Sequence, residues 1–410
     1  MSVDYQVADF DSDFEARWLE PRRNPRRLGR RDELEAQIGS LKQRMNVAVI
    51  YGGDKRVPNT VIYQTPNTRS WKSYQSVAED IAESLGRVGF ESVHVLADNM
   101  NLGNELRARD IHFAWLNTGG VQGYNPMAHT SSMLEMYGVP YVGHDPLMSS
   151  ILDNKPCFKR EIAAFGVRTS PFFTWHFARG PFDPENNAVF QSTFAGYDGP
   201  FVVKPVSGRA SLHVHVVEDI AGLPAALQSV FHATQNGVLI ERFLPGREFC
   251  IAVAGPVTAR RRQLHDGTKP FVFSPIERVL DSDELIFTSM DVKPISTDRV
   301  KTLLPDRDGE IVAKLEDIAL STFINLNIET LIRLDLRMAD DGELHVLEAN
   351  PKPDLKKPEG KRTSIVCTGL DRFDMDYDDL ILSLIADRID QLFCQRRGTV
   401  HHLLALLDSA

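Results

Sequence analysis

Across the stretch 332–350, apolar and polar residues alternate with the period of two that sends side chains to opposite faces of a β-strand. Ile332, Leu334, Leu336 and Met338 interleave with Arg333, Asp335 and Arg337. Beyond Asp341-Gly342, Leu344 and Val346 interleave with Glu343 and His345. The phase then breaks at Leu347, just before Glu348-Ala349-Asn350. Asp-Gly between two such runs predicts a β-hairpin, because glycine accepts positive φ and aspartate hydrogen-bonds locally. A two-residue loop places Asp335 opposite Glu348 and Arg333 opposite Asn350, all on one face together with Val346. Facing carboxylates repel each other, and a cation between them reverses that sign. Two carboxylates and an amide oxygen suit Mg²⁺, which takes hard oxygen ligands. A hairpin whose polar face is simply solvated fits the same pattern, and a three-residue loop would throw Glu348 to the face opposite Asp335.

The pattern elsewhere predicts an α/β body. Residues 47–51 form a short apolar strand ending in Gly52-Gly53, and Tyr74, Val77, Ile81, Leu85 and Val88 recur at helical spacing. Residues 92–96 and 111–116 read as further strands, the second leading to Gly119-Gly120. This order points to a small domain with a largely parallel sheet. Glycine pairs just past such strands stand where ligands bind in open sheets, although tight turns explain them as readily. Helices are expected over 127–137 with Gly138 as stop, from Asp153-Asn154-Lys155 to Phe165, and over 309–325 and 376–393. Strands are expected over 200–205, 212–216, 238–241 and 249–253. The stretch 267–305, which holds Lys293, carries several prolines and contains at least one long loop.

At 410 residues the chain exceeds the size at which single cores divide, so two or three lobes around a shared cleft are expected. Apolar content of 42% and charged content of 25% are those of an ordinary globular protein. The net charge of −10 disfavours nucleic acid as a partner. No apolar run is long enough for a bilayer, the first residues lack the apolar segment of a signal peptide, and the four cysteines lack metal-type spacing. A cytoplasmic, reducing setting is therefore expected. Residues 1–44 look like an extension, acidic at first and then carrying six arginines over 21–31. Such a segment either packs on the body or a second subunit, or is a solvated tail.

Three places carry further candidate chemistry. The strand 200–205 ends in Lys204-Pro205 and is followed by Ser207-Gly208-Arg209-Ala210-Ser211, whose backbone N–H groups can cradle phosphate oxygens while Lys204 neutralises them. Glu241 ends a strand and Glu248 follows Gly246-Arg247. Ionised carboxylates there can accept hydrogen bonds from a nucleotide's exocyclic amine and ribose hydroxyls, with structural ion pairing as the alternative. His213 and His215 fit a solvated strand face better than metal ligation.

Taken in order, Tyr141-Val142-Gly143 with Asp153-Asn154-Lys155, Val202-Val203-Lys204-Pro205, Leu239-Ile240-Glu241 with Gly246-Arg247-Glu248, Arg333-Leu334-Asp335 and Glu348-Ala349-Asn350-Pro351 resemble the ATP-grasp superfamily, and within it the D-alanine–D-alanine ligase branch. The resemblance implies an ATP-grasp fold behind a Rossmann-like N-terminal domain. The expected divisions are 1–44 (extension), 45–155 (N-terminal domain), 156–255 (small lid subdomain) and 256–410 (large subdomain with the metal site). It implies an ADP-forming ligase in which a substrate carboxylate takes the γ-phosphate of ATP and an amine then displaces phosphate from the acylphosphate. Lys155 and Lys204 match its phosphate-contacting lysines, Glu241 its adenine-side acid and Glu248 its ribose acid. Asp335, Glu348 and Asn350 match its Mg²⁺ ligands, and Arg333 the arginine that steadies the acylphosphate. The implied partners are a small carboxylic acid and an amine, with neither nucleic acid nor membrane. Ligases of this branch are often dimers, which makes a homodimer compatible with the sequence.

The departures from that branch lie in its substrate-holding segments. Leu116-Asn117-Thr118-Gly119-Gly120-Val121-Gln122-Gly123 replaces its Gly-Glu-Asp-Gly segment, and Pro351-Lys352-Pro353-Asp354-Leu355-Lys356 replaces its Met-Pro-Gly and downstream serine. The expected substrate is accordingly an amino acid or related acid other than D-alanine, with Lys352, Asp354 and Lys356 as candidate pocket residues. An acceptor other than an amine, or a nucleotide-binding module without catalysis, are the alternatives.

Overall fold

The computed structural model describes residues 30–52, 60, 74–123, 125–208, 211–280, 284–286, 299–360, 363–395 and 400–408. The expectations placed on residues 1–29, Gly53, Arg209, Ala210 and Lys293 lie outside these described residues.

The first sheet is fully parallel: β1 (Asn46–Gly52), β2 (Ser92–Asp98), β3 (Phe113–Asn117) and β4 (Tyr141–Val142), in the order β2-β1-β3-β4. Val47 to Ile50 are buried throughout, the continuous apolar run of a strand covered on both faces. The helix Gln75–Arg87 covers one face with Val77, Ile81 and Leu85. Past β3, Gly120 sits at φ +77, and a Cβ there would collide with Pro126, so this turn requires glycine. The helix Arg30–Arg44 is no solvated tail. Leu34, Ile38 and Leu41 join the core of Val47 and Val49, and Arg44 Nη1 donates to Leu406 O at 2.7 Å on the helix His401–Asp408.

A second, antiparallel sheet contains β5 (Phe172–Trp175), β6 (Phe201–Pro205), β7 (His215–Val217) and β8 (Val238–Arg242), ordered β5-β8-β6-β7. Phe173, Phe190, Phe194 and Phe201 pack with Leu223, Leu227 and Val230 of the helix Leu223–Thr234 behind it. The strand expected from 212 shrinks to β7, because His213 is in a left-handed turn at φ +58.

The third sheet holds β9 (Glu248–Ala254), β12 (Phe271–Val272), β13 (Ile276–Arg278), β14 (Val300–Thr302), β15 (Ile332–Met338) and β16 (Leu344–Asn350), with β10 (Val257–Arg260) and β11 (Gln263–Asp266) forming a separate hairpin. Its order is β14-β13-β9-β15-β16, and β12 also pairs with β9. β9 belongs here, so the smaller sheet ends at Arg242, earlier than the expected division at 255. The helix Pro305–Asn325 covers the back of this sheet, Val312, Leu315 and Phe323 meeting Leu334, Leu336 and Val346. The helix Tyr377–Gln395 carries the expected stripe of Ile381, Leu384, Ile385 and Leu392, all buried. Its buried Asp379 and Asp387 accept from the backbone N–H groups of Arg262 (2.8 Å) and Val257 (3.0 Å), which satisfies them in the interior.

The hairpin of β15 and β16 corrects the sequence argument in its route. Ala339 N donates to Glu343 O at 2.9 Å, so the loop has three residues, Asp340-Asp341-Gly342, with Gly342 at φ +81. Near the loop Leu336 therefore faces Val346 and Arg337 faces His345. Leu347 is then an extra residue, a β-bulge, and beyond it Asp335 faces Glu348 and Arg333 faces Asn350. The expected facing pairs occur because the bulge cancels the extra loop residue. Val346 is not on their face; it is fully buried against Leu334 and Leu336. Nor is the hairpin solvated, since β15 is interior to the sheet and Arg333, Asp335 and Arg337 are buried.

Candidate active site

A cleft opens between the second and third sheets. Lys204 enters it from the end of β6, Glu241 and Arg242 from the end of β8, and Glu248, Arg278, Asp335 and Arg337 from three adjacent strands of the larger sheet. Leu347 and Glu348 reach it through the bulge, and Lys155 from the first turn of the helix Lys155–Ala164, which Asn154 caps by accepting from Cys157 N. The cleft is lined by five cationic side chains and four carboxylates, and Lys159 and Arg333 stand directly behind. Positive charge is thus in excess, which suits an anionic ligand.

At the end nearer the smaller sheet, Glu241 is buried between two lysines. Its Oε2 lies 2.5 Å from Lys204 Nζ and its Oε1 2.6 Å from Lys159 Nζ. Burial would raise the Glu241 carboxyl, but the two lysines override it and hold it below its ordinary range. Burial would likewise lower Lys204, yet Glu241 and then Glu348 hold its ammonium above the usual value. Lys159 goes the other way, because burial outweighs Glu241 there. Two ammoniums on one carboxylate at these distances favour the charged form of all three.

At the other end, Arg333 grips Asp335 through two parallel bonds, Nε to Oδ1 at 2.7 Å and Nη2 to Oδ2 at 2.9 Å. Arg278 bridges two acids, donating to Glu248 Oε1 at 2.8 Å and to Asp335 Oδ2 at 3.0 Å. The Cys250 thiol, whose pKa burial pushes up, donates to Asp335 Oδ1 at 3.3 Å. Burial opposes charge on Asp335, but Arg278 and Arg333 prevail and hold its carboxyl well below the usual carboxylate range. Glu348, facing it, is partly exposed and lies 3.3 Å from Lys155 Nζ, which also donates to Gly208 O at 3.2 Å.

Of the residues singled out from the sequence, Lys155, Lys204, Ser211, Glu241, Glu248, Asp335 and Glu348 line this one cleft. Arg333 lies behind Asp335, and Asn350, paired with Arg333 across the strands, accepts from Lys352 N at 3.1 Å. Ser207 is fully buried and accepts from Asn236 Nδ2 at 2.9 Å, whereas Ser211 at φ +50 faces the cleft. Lys352 stands apart from this cleft, over the Tyr74 ring at 3.6 Å and 3.4 Å from Asn117 Oδ1. Sequence reasoning missed Lys159 and Arg278. Lys159 was signalled: it lies one helical turn past Lys155, on the same face as the buried Ile162. Arg278 sits in the proline-rich stretch whose pattern had no readable period.

Two sheets closing on a cleft edged by lysines and carboxylates in this order make up the ATP-grasp fold of ATP-dependent ligases. Residues 162–386, more than half of the chain, match the family described as the D-ala D-ala ligase C-terminus, and the chain belongs to that family. It is 26% identical over 283 residues to a D-alanine–D-alanine ligase of Lacticaseibacillus casei, covering 69% of each chain. Among solved structures it resembles a D-alanine–D-alanine ligase from Bacillus anthracis complexed with ATP, with a TM-score of 0.61, 21% identity, and 84% of this chain and 98% of that one covered. The VanG D-Ala:D-Ser ligase from Enterococcus faecalis gives a TM-score of 0.59 at 16% identity, covering 84% and 99%. Among the described residues no helix is long and apolar enough to cross a membrane.

Proposed function

We propose that this ligase joins a small carboxylic acid to an amine at the expense of ATP, and that the acid is an amino acid or a related compound other than D-alanine. One observation carries the reading: Asp335 faces Glu348 at the end of a buried hairpin, with Arg333 on Asp335 and Lys155 on Glu348. That combination puts hard anionic donors, an arginine and a phosphate-seeking lysine at one place.

In this reading a carboxylate oxygen of the acid attacks the γ-phosphorus of ATP, the bond to the β–γ bridging oxygen breaks, and ADP leaves. The amine then attacks the acyl carbon, phosphate leaves with the bonding pair, and the amine sheds its proton. Lys155 and Lys204 hold the phosphates, and Ser211 lines the same cleft, while the buried Ser207 hydroxyl is held by Asn236. Glu248 takes the ribose hydroxyls. Glu241 keeps Lys204 charged and in place, and retains lone pairs for the base's exocyclic amine. Arg333 steadies the acylphosphate. Such transfer is mostly positioning and charge neutralisation. Asp335, Glu348 and Asn350 are oxygen donors of the kind Mg²⁺ prefers and stand together at one end of the hairpin, so they fit that ion chemically. They would hold it where it neutralises the β- and γ-phosphates.

The altered segments 116–123 and 351–356 favour an acid other than D-alanine, since these are the stretches that depart from the D-alanine-specific pattern. We place the N-terminal domain at 45–155, the lid between there and Arg242, and the large subdomain after it, and expect a homodimer in the cytoplasm. The test is ADP release with amino acids supplied singly and in pairs, followed by mass spectrometry of the product. A new amide with ADP and phosphate supports the reading. A thioester or ester product replaces the amine acceptor. ATP binding that no acid stimulates to turnover overturns catalysis altogether.

A further inference from the structure

Arg278 holds two carboxylates at once, and the proposed function asks something different of each. Glu248 is the proposed ribose acid and Asp335 the proposed metal acid, and Arg278 donates to both, at 2.8 and 3.0 Å. A carboxylate has about four lone-pair directions. On Asp335 these are filled: Oδ1 accepts from Arg333 Nε and Cys250 Sγ, and Oδ2 from Arg333 Nη2 and Arg278 Nη2. A metal ion approaching Asp335 must therefore displace a hydrogen bond already made. The two arginines are unequally held there. Arg333 sits on the same strand as Asp335 and makes the paired, fork-like contact, whereas Arg278 reaches over from β13 with a single bond. Arg278 is the weaker of the two holds, and it lines the cleft.

We propose that Arg278 is a resident counter-cation that competes with the metal for Asp335, and that nucleotide loosens it through Glu248. The proposal rests on the functional reading above. Glu248 pairs with Arg278 across β9 and β13 and with Arg337 across β9 and β15. Arg337 is 3.7 Å from it and spends its own donors on Gly246 O and Leu285 O, so Arg278 is Glu248's principal cation. Ribose hydroxyls arriving at Glu248 take over the hydrogen bond that Arg278 makes there. The phosphates, arriving in the same step, offer the guanidinium a new anion. Asp335 is released to the metal only when nucleotide is present, so metal and nucleotide bind with positive coupling. By linkage each then raises the other's affinity by the same factor, about 5- to 150-fold for couplings of ordinary size.

The test is a Mn²⁺ titration followed by the free-ion electron paramagnetic resonance signal, with and without a non-hydrolysable ATP analogue, on the full chain, with the Mn²⁺ chelated by the analogue itself accounted for by a protein-free titration. In the unaltered protein Mn²⁺ is expected to bind weakly alone and at least fivefold more tightly with the analogue. Arg278→Gln removes the competitor, so Mn²⁺ alone binds more tightly and the ratio between the two conditions shrinks. Arg278→Lys keeps the charge but has no fork to span two acids, and it falls between; it also serves if the glutamine variant unfolds. Unchanged Mn²⁺ affinity without nucleotide in a folded Arg278 variant overturns the proposal. Glu348→Gln separates this from the underlying reading: if that variant binds Mn²⁺ with the analogue as the unaltered protein does, the metal assignment itself is wrong.

Discussion

The two lysines on Glu241 have different fates when removed, and the difference is worked from the structure. Lys204 lies at the mouth of the pair and lines the cleft, whereas Lys159 is fully enclosed. Lys204→Met leaves Glu241 with Lys159 at 2.6 Å, so the carboxylate keeps a counter-charge and the fold survives. What is lost is a charged donor to the phosphates. A hydrogen bond to a charged group contributes about 1.5–3 kcal/mol, or roughly ten- to hundredfold in affinity. Lys159→Met also leaves Glu241 one lysine, but strips Thr169 Oγ1 of its donor at 2.5 Å and Val346 O of a contact at 3.4 Å. Breaking a buried pair costs about 3–5 kcal/mol, and the remaining lysine places this one near the lower end. Isothermal titration with ATP and urea denaturation of both variants check the asymmetry. The reasoning is refuted if Lys204→Met binds ATP normally, or if it destabilises the chain more than Lys159→Met does.

Two further outcomes follow from the hairpin. Asp335 is held below the usual carboxylate range by Arg278 and Arg333 against burial, so its stabilising contribution is complete above its unfolded pKa of about 3.9 and fades as pH falls towards the lower folded value. Asp335→Asn is expected to lose about 3–5 kcal/mol at neutral pH, because two buried arginines lose their partner, and to show a flatter acid limb below about pH 4. An acid limb as steep as that of the unaltered protein in urea melts would count against this. Deleting Leu347 removes the bulge while the three-residue loop remains, which drops Glu348 into the place directly opposite Asp335 and keeps Asn350 opposite Arg333; metal-dependent nucleotide binding should survive, and its loss in a folded variant would contradict the register argument.

The parts of the site that were legible in the sequence are those with a local rule behind them. Lys155 follows the Asn154 cap, Lys204 ends an apolar strand, and Asp335 and Glu348 flank a recognisable turn. Val346 shows the limit of the rule: alternation counted from the wrong loop length puts it on the polar face, and only the broken phase at Leu347 hinted otherwise. The helix Arg30–Arg44 was hidden by its arginine-rich approach, although Leu34, Ile38 and Leu41 repeat at helical spacing. Arg278 was illegible for another reason. Its importance comes from pairing β13 with β9, a contact between distant strands that no local pattern encodes.

Lys159 belongs to a helix, Glu241 to the smaller sheet and Val346 to the larger one, and its ammonium reaches both sheets. Until both sheets form, that ammonium lacks either the carboxylate that compensates it or the cover that strengthens their attraction, and drying it without Glu241 would cost far more than the few tenths of a kcal/mol of a surface pair. Half-built forms are thereby discouraged, and the halves of the nucleotide clamp are made to melt and assemble together.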